Sequence, residues 1–368
     1  MKVQQIKFKK LKNNYSIIIG KNTLNLLPKK IRRICPKTKK IALVVDRNVP
    51  KKFLISLKKK FKKYNLLELK LNSNEKNKSM KTVNFLLEKL LSNNFNRSDL
   101  VIAVGGGITG DVTGFAASIF KRGINFINIP TTFLAQVDSS IGGKTGINTK
   151  NGKNLIGTFY QPKLVLSDTN FLKTLKKREI ICGYAEVLKH SIIANKKFYL
   201  YLNKNINKIL ELKSPFIEKS VFESCKIKKD IVEKDEKESG LRKTLNFGHT
   251  FAHAYEATLN YSKKLNHGEA VILGMKTALN FSYKNNIINK LNYFQIIEHI
   301  KNSNLPNRLN KFFSLKDIKK IISFMCNDKK NKSNRINLIL LKKIAEPIIN
   351  KHYTKKNLFK FLKKELYN

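Results

Sequence analysis

The chain has 368 residues, of which 42% are hydrophobic, and its 74 Lys and Arg against 25 Asp and Glu give a formal net charge of +49. This length exceeds what one core comfortably serves, so we expect two domains of a globular protein. No apolar run approaches the about 18 residues of a membrane span, and the start lacks the apolar segment of a secretory signal. The four cysteines are widely spaced, without a Cys-x-x-Cys pair, which predicts reduced thiols and a cytoplasmic protein.

The positive charge is carried almost entirely by lysine, because only nine of the 74 basic residues are arginine. Proteins that read nucleic acids favour arginine for bidentate and stacking contacts. Here lysine is scattered along the whole chain beside abundant asparagine, which is typical of an AT-rich coding sequence. We therefore expect non-specific adhesion to nucleic acid at low salt, but no specific nucleic-acid partner and no membrane partner. A basic nucleic-acid-binding protein without catalysis is the alternative from another class.

The first half of the chain alternates short β-type runs with helical or polar stretches. The predicted strands are 15–20, 41–46, 100–104 and 125–129, and a turn-forming residue or a carboxylate ends or directly follows each of them. Such Val- and Ile-rich runs with helices between them indicate a parallel sheet covered on both faces. Beyond about residue 178 the apolar residues take helical spacing, over 180–200, 216–235, 245–260 and 268–284. The pattern predicts a Rossmann-like α/β nucleotide-binding domain over 1–177 and an all-α domain over 178–368.

A glycine-rich turn follows the third predicted strand and opens a helix. Gly105, Gly107 and Gly110 match G-x-G-x-x-G in that context. Glycines let the backbone approach a pyrophosphate, and the helix start supplies oriented N–H groups, so the turn predicts a dinucleotide site. The alternative is a plain strand-to-helix turn. The ribose carboxylate usual about 20 residues later is missing, and Asp46 is the better candidate for that role.

Further polar segments follow this turn. Thr131 and Thr132 stand at a second strand-to-helix corner, where their hydroxyls either reach a phosphate or cap the helix. Lys144 and Lys153 stand singly among small residues, a pattern that makes anion-binding concavities. In so lysine-rich a chain, each of these lysines is equally consistent with an ordinary surface position.

A cluster of charged residues lies inside the predicted helix at 180–200. Glu186, Lys189 and His190 are within one helical turn of one another. A Glu–Lys pair at this spacing is usually an exposed salt bridge. Apolar neighbours, including Val187 and Leu188, predict partial burial and favour a functional role.

Three of the six histidines fall within nineteen residues, at His249, His253 and His267. Neutral imidazole is the commonest protein ligand for zinc, and His249 and His253 share a face of a helix because they are four residues apart. Spacing alone allows both to bind one metal, as in H-E-x-x-H. Thr250 replaces the glutamate of that motif, which argues against a metalloprotease.

Taken together, these segments resemble the 3-dehydroquinate synthase family of the sugar phosphate cyclases, from about residue 41 to about residue 330. The matching blocks stand in one order: GGGITGDVTGFAAS, PTTFLAQVDSSIGGKTGIN, GKNLIGTFYQP, AEV, LNFGHT and HGEAV. The resemblance implies a carbon–oxygen lyase of the shikimate pathway that depends on NAD and one divalent metal, zinc or cobalt. Its reaction converts 3-deoxy-D-arabino-heptulosonate 7-phosphate to 3-dehydroquinate and phosphate through transient oxidation, β-elimination, re-reduction, ring opening and aldol closure. The alternatives are another cyclase, of the 2-deoxy-scyllo-inosose synthase type, and a metal-dependent polyol dehydrogenase.

The resemblance also implies site residues, in a cleft between the two domains. The implied metal ligands are Glu186, His249 and His267. The implied NAD-binding residues are Asp46, Asn48, Glu75, Lys78, Gly106, Gly107, Asp111, Thr131, Thr132, Lys144, Lys153, Phe171, Leu172, Lys173 and Thr174. The implied catalytic and substrate-binding residues are Asp138, Lys144, Asn154, Lys189, Lys228, Arg242, Asn246, His253 and Lys329. Arg122 is similar to an arginine that reaches the partner subunit's site, which implies a homodimer.

Two departures from the family pattern fall beside the implied ligands. Ala252 stands where glycine is usual between the two histidines, and Asn266 stands where proline commonly precedes His267. Neither removes an implied ligand. We expect these changes to affect stability more than the type of reaction.

Overall fold

The computed structural model describes residues 3–9, 14–326 and 335–367, which divide into two compact units. The first unit comprises Met1–Lys176 and Leu212–Lys229, and the second comprises Lys177–Glu211 and Asp230–Asn368. The segment Leu212–Lys229 packs with the first unit, whereas the sequence analysis assigned it to the second domain. Apolar periodicity shows that a helix has a buried face, but it does not show which core that face joins.

Within its described residues, the first unit contains nine strands, four complete helices and the greater part of a further helix, α7 Phe216–Lys234. The strands are β1 Gln4–Lys7, β2 Ser16–Gly20, β3 Lys40–Asp46, β4 Asn65–Leu71, β5 Leu100–Gly105, β6 Asn125–Pro130, β7 Lys144–Thr149, β8 Gly152–Phe159 and β9 Leu164–Asp168. The helices are α1 Leu27–Ile34, α2 Lys51–Lys60, α3 Met80–Ser92 and α4 Gly107–Ile119. All four strands predicted from the sequence are present as β2, β3, β5 and β6.

Seven of these strands form one sheet in the order β1-β2-β9-β6-β5-β3-β4, parallel except for the β1–β2 pair. Every residue of β5 is buried, as the uninterrupted apolar run requires when both faces of a sheet are covered. One buried apolar cluster lies on each face of the sheet. The predicted α/β class of the N-terminal domain is confirmed.

Strands β7 and β8 form a separate antiparallel hairpin. Gly146 and Gly157 face each other across it, and a methyl group added at either would meet the backbone of the other strand. These glycines therefore allow the two strands to approach closely.

The second unit is mainly helical. Its elements are α5 Lys177–Ala194, α6 Lys196–Leu210, the end of α7 Phe216–Lys234, α8 His249–Thr258, α9 His267–Lys284, α10 Lys290–Asn302, α11 Ile318–Cys326, β10 Arg335–Lys343, β11 Glu346–Thr354 and α12 Lys355–Tyr367. The predicted helical class is confirmed, with the antiparallel hairpin β10–β11 as an addition that was not predicted. Every residue of α5 from Gly183 to Ile193 is buried, so this helix lies at the centre of the unit.

Two close helix contacts fix the position of α9 in the second unit. Gly248, with φ of 78°, precedes α8 in the left-handed conformation, and a Cβ there would lie 2.6 Å from the backbone nitrogen of Met275 in α9. A Cβ on Gly268 would lie 2.8 Å from the carbonyl oxygen of Cys182 in α5. Asn266 caps α9 in a capping box with Glu269, which explains why a residue other than proline serves there.

All four cysteines lie in the described residues and are free thiols. Among the helices that the structure describes, none has the length and apolarity needed to cross a bilayer.

Candidate functional site

The glycine turn of the first unit lies where the order of the sheet reverses. The chain leaves β3 towards β4 on one side and leaves β5 towards β6 on the other. Ligands of open α/β sheets bind outside the carboxyl ends of the strands at such a point. Gly105 ends β5 and Asp46 ends β3, and a Cβ on Gly105 would lie 3.0 Å from the Cβ of Asp46. The predicted pyrophosphate turn and its candidate ribose carboxylate are therefore neighbours.

The start of α4 fits an anion. Gly106 is the N-cap residue and offers no side-chain hydrogen bond to the first turn. The first N–H groups of a helix have no partner within that helix, and they carry the positive end of its dipole. A Cβ on Gly107 would lie 2.8 Å from Ser139 Oγ and 3.2 Å from Ser139 Cβ, so a larger residue there would have to displace the Ser139 side chain. These features agree with a dinucleotide phosphate site better than with a plain turn.

Lys78 contacts two other predicted site residues of the first unit. Its Nζ lies 2.5 Å from Asp111 Oδ2 and 2.5 Å from Asn154 Oδ1, and its side chain is almost completely buried. Burial raises the pKa of Asp111, while the charge of Lys78 opposes that increase. Nearby, Lys153 Nζ lies 3.4 Å from Glu75 Oε1. The predicted Glu75, Lys78, Asp111 and Lys153 are thus held by ion pairs.

Other predicted NAD residues have structural partners in the first unit. Asn48 donates its backbone and side-chain N–H groups to Asp46 Oδ1, at 2.9 and 3.0 Å. Thr132 Oγ1 accepts a 3.2 Å hydrogen bond from the N–H of Ala135, which is the helix-capping alternative stated above. Thr131 donates its N–H to the carbonyl of Gly105 at 2.9 Å.

The predicted turn from Phe171 to Thr174 lies within a 3-10 helix, Thr169–Thr174. The side chains of Phe171 and Leu172 are completely buried, and the Phe171 ring lies 4.2 Å from the ring of Phe53. Lys173 is exposed, and Thr174 Oγ1 donates to the carbonyl of Phe171. Only the backbone of Phe171 and Leu172 is therefore suited to contact a ligand.

Asp138 and Lys228 form an ion pair within the first unit. Lys228 Nζ lies 2.5 Å from Asp138 Oδ1 and donates to its carbonyl oxygen at 2.7 Å. Asp138 belongs to a π-helical turn, Ala135–Ser139, and such turns occur frequently at functional sites. The predicted pair is thus brought together by the segment of α7 that joins the first unit.

The second unit brings together the three predicted metal ligands from three helices. Glu186 lies in the middle of α5, His249 begins α8 and His267 begins α9. One ligand atom of each residue lies within 4.8 Å of those of the other two, and His249 Nε2 is 3.6 Å from Glu186 Oε1. Two imidazoles and one carboxylate are a donor set that zinc accepts at catalytic sites.

The burial and the protonation state of these predicted metal ligands also fit a bound cation. Both carboxylate oxygens of Glu186 are buried and receive no hydrogen bond from the described residues, although Lys189 forms an ion pair with Oε2. Burial, together with Lys189, His253 and His267, holds the pKa of His249 well below its ordinary value. His249 is therefore neutral, which is the form that binds metal. Its Nδ1 faces the carbonyl of Phe247 at 3.3 Å, which leaves Nε2 towards Glu186.

Lys189, His190 and His253 surround this cluster. Lys189 is 2% exposed and forms an ion pair with Glu186 Oε2, so the spacing that is usually an exposed salt bridge is a buried one here. His190 Nε2 lies 4.0 Å from the same oxygen. His253 is exposed, with its ring centre 5.3 Å from that of His249 and 6.2 Å from that of His267.

The predicted carboxylate-binding residues lie around a 3-10 helix, Leu241–Asn246. The Arg242 side chain is buried, and its Nη1 donates to the carbonyl of Glu236 at 2.5 Å. Asn246 Nδ2 donates to Glu238 Oε1 at 2.5 Å. Burial raises the pKa of Asp235, but N–H groups of Arg242, Gly240 and Ser239 more than offset this and bring it to about 2. Asp235 is therefore ionised at neutral pH and accepts hydrogen bonds from three N–H groups of this loop.

The remaining predicted residues have less defined surroundings. Lys144 is exposed at the start of β7. Arg122 has φ of 66° and lines an open cleft of about 270 Å³ together with Arg97, Tyr160 and Lys163. Lys329 lies outside the described residues.

Two glutamates of this region were missed by the sequence analysis. Glu256 Oε2 lies within hydrogen-bond distance of His267 Nδ1, at 3.0 Å. Glu238 Oε1 accepts a hydrogen bond from Asn246 Nδ2. The signal for Glu256 was present, because it stands three residues after His253 and seven after His249, on the same face of α8.

Comparisons with known proteins place this architecture in a family. The model of the 3-dehydroquinate synthase N-terminal domain matches residues 68–182, and that of the C-terminal domain matches residues 183–331. The chain belongs to the 3-dehydroquinate synthase family. A 3-dehydroquinate synthase of Pelagibacter ubique (strain HTCC1062) is 57% identical over 352 residues, which are 96% of this chain and 96% of that relative.

Solved structures show the same fold at lower identity. A 2-deoxy-scyllo-inosose synthase complexed with carbaglucose-6-phosphate, NAD⁺ and Co²⁺ has a TM-score of 0.88 at 24% identity, covering 98% of this chain and 100% of that one. A 2-epi-5-epi-valiolone synthase from Streptomyces hygroscopicus with NAD⁺ and Zn²⁺ bound has a TM-score of 0.85 at 21% identity, covering 98% of each chain. The family and the fold class predicted from the sequence are thus both confirmed.

Proposed function

We propose that this protein has 3-dehydroquinate synthase activity and converts 3-deoxy-D-arabino-heptulosonate 7-phosphate to 3-dehydroquinate and phosphate. This makes it a carbon–oxygen lyase of the shikimate pathway, which supplies aromatic amino acids. The observation that carries the proposal is the cluster of Glu186, His249 and His267 beside the buried Lys189, in a chain of this family. The 57% identity to a relative of that name over nearly its whole length supports it.

Two groups complete the proposed site. Bound NAD supplies a reversible hydride acceptor, and a bound zinc or cobalt ion supplies a Lewis acid for the oxygen that is oxidised. The start of α4, at Gly106 and Gly107, would hold the dinucleotide phosphates, and Asp46 would hold a ribose. Glu186, His249 and His267 would hold the metal.

The substrate is an anion at both ends, and the chain offers separate cations for each. We assign the phosphate to Lys144, Asn154, His253 and Lys329, and the carboxylate to Arg242 with Lys228. The carbonyl of Glu236 fixes one nitrogen of the Arg242 guanidinium, so this planar donor is held in one orientation before the substrate binds. Positioning and electrostatics then account for much of the rate enhancement. We assign no side chain as the base, because the dianionic phosphate of the substrate can itself take the proton.

The test is phosphate release from 3-deoxy-D-arabino-heptulosonate 7-phosphate with NAD and zinc, while absorbance reports any NADH. We expect phosphate and 3-dehydroquinate in equal amounts, no accumulation of NADH, and loss of activity on chelation. Steady accumulation of NADH would show a dehydrogenase and refute the proposal. Turnover of glucose 6-phosphate in place of the heptulosonate would show another cyclase.

A variant pair tests the carboxylate assignment. Arg242→Gln removes the guanidinium that is proposed to bind the substrate carboxylate. It should therefore raise KM for the heptulosonate by about tenfold or more, which corresponds to about 1.4 kcal/mol. Arg308→Gln is the control, because Arg308 is an exposed arginine of the same unit. Equal KM values for the two variants would exclude Arg242 from substrate binding.

We also propose that the protein acts in the cytoplasm as a homodimer in which Arg122 serves the partner's site. Sedimentation velocity would report the dimer. Mixing two inactive variants, Arg122→Ala and Glu186→Gln, tests the shared site. In mixed dimers, one of the two sites has both residues intact, so about a quarter of the wild-type activity should return. No recovery after subunit exchange would place Arg122 in its own subunit's site or in none.

A further inference from the structure

The three proposed metal ligands are held in place to different degrees. The side chain of Glu186 is 1% exposed in the centre of α5, and that of His249 is 12% exposed. The side chain of His267 is 35% exposed, and it is the first residue of α9. Packing therefore restrains the first two ligands, but it leaves the ring of His267 with much more freedom.

Glu256 supplies the restraint that packing does not give. Its carboxylate is 8% exposed, and Oε2 lies 3.0 Å from His267 Nδ1. A carboxylate only accepts hydrogen bonds, so Nδ1 of a neutral His267 ring is the nitrogen that carries the proton. The lone pair then resides on Nε2. Glu256 thus sets both the tautomer and the direction of the ring.

We propose that Glu256 is a positioning residue that aims His267 Nε2 at the metal. The inference rests on the proposed function, because it takes the metal site as its starting point. Burying a carboxylate costs free energy unless it is paired, and the contact with His267 Nδ1 offsets this cost for Glu256. Carboxylate partners of metal-binding histidines fix the ring and raise its basicity, and losing one lowers metal affinity by about 10–100-fold.

The experiment is a cobalt titration of the full chain, followed through the visible absorption of the Co²⁺ ion. The variant Glu256→Gln keeps the size of the side chain and removes its charge. We expect a dissociation constant about 10–100-fold weaker than that of wild type and an altered cobalt spectrum. Unfolding in urea, measured on the same samples, reports the stability of each protein.

Glu365→Gln is the matched control. Glu365 belongs to the same unit and is 11% exposed, with Lys284 Nζ at 2.8 Å and Asn280 Nδ2 at 2.5 Å. Its loss should lower stability without changing cobalt affinity or the cobalt spectrum. If both variants weaken cobalt binding equally, Glu256 acts only through general stability and the proposal is overturned.

A measurement on wild type keeps the proposal testable if Glu256→Gln does not fold. Long-range ¹H–¹⁵N spectra of zinc-loaded, ¹⁵N-histidine-labelled protein distinguish the two ring nitrogens of each histidine. We expect His267 to carry its proton on Nδ1 and to bind zinc through Nε2. Binding through Nδ1 would overturn the proposal. Wild type that binds neither metal would instead refute the metal site of the proposed function, whereas bound metal with an unaffected Glu256→Gln variant would refute this inference alone.

Discussion

Replacing Gly248 by alanine tests whether the contact between α8 and α9 determines the metal site. Gly248 precedes His249 and has φ of 78°, a backbone conformation that residues other than glycine rarely adopt. The added Cβ would lie 2.6 Å from Met275 N and 2.9 Å from Met275 Cα, where ordinary contacts begin at 3.4 Å. The methyl group is thus 0.8 Å too close to a backbone atom in the middle of α9. Since that atom cannot rotate away, one helix must move.

Two costs add up in this variant. The left-handed conformation costs a residue with a Cβ about 1–2 kcal/mol, and overpacking costs about 1–3 kcal/mol. Together they predict a loss of about 2–5 kcal/mol, a large share of the about 5–15 kcal/mol of a typical protein. Metal–ligand distances tolerate only about 0.2 Å, so a shift of this size should weaken zinc binding by about tenfold or more.

The assay combines urea unfolding with zinc competition against a chromophoric chelator, on samples shown to be folded. Asn286→Ala is the control, because Asn286 is exposed in the same unit and has φ of 56°. This variant adopts the left-handed conformation without the collision, so it should lose only about 1–2 kcal/mol and keep its zinc affinity. If Gly248→Ala matches Asn286→Ala in both quantities, the helix contact does not control the site.

Three further predictions concern buried ionisable groups. Lys78→Met should lower the free energy of unfolding in urea by about 3 kcal/mol, because it leaves the charge of Asp111 without its Lys78 partner. Adding Asp111→Asn should recover part of that loss. If the effects of the two substitutions simply add in the double variant, the pairing is contradicted. Burial raises the pKa of Cys182 to about 11, so at pH 8 only about one thiol in 1,000 is ionised and a disulfide reagent should modify it slowly. Rapid labelling of Cys182 in mass spectra would be inconsistent with this. Burial lowers the pKa of His299 to about 4, so its neutral form stabilises the fold above pH 6.5, and stability is lost as the pH falls towards 4. Between pH 7 and pH 5, wild type should lose about 2 kcal/mol more than His299→Gln in urea unfolding, and parallel losses would refute the assignment.

Much of the fold was predictable because its signals are local. The run Leu100–Val104 is apolar at every position, which suits a strand covered on both faces, and the glycine turn after it marks the start of α4. The hairpin β7–β8 was not predictable in this way. Its two glycines meet across the strands, and its polar residues resemble a loop until the pairing is known. Pairing of distant segments leaves little trace in either segment alone.

The site was predictable only in part from spacing. The separation of His249 and His253 put both on one helix face, but it did not decide between them as ligands. That choice depends on Glu186 and His267, which come from α5 and α9, and only the family resemblance indicated that these two bind a metal together with His249. Glu256 was missed although its position in α8 was readable, because a glutamate on a helix is usually an exposed residue.

The division of the chain has a consequence for its biosynthesis. The first unit requires Leu212–Lys229, so the polypeptide up to Lys176 leaves the ribosome without a part of its own core. Lys229 is synthesised 53 residues later, about 3–10 s at the usual rates of elongation of about 5–20 residues per second. Until then the carboxylate of Asp138 has not met Lys228, so this ion pair of the first unit cannot form. Cutting the gene at residue 177 would therefore give two fragments, of which the first is incomplete.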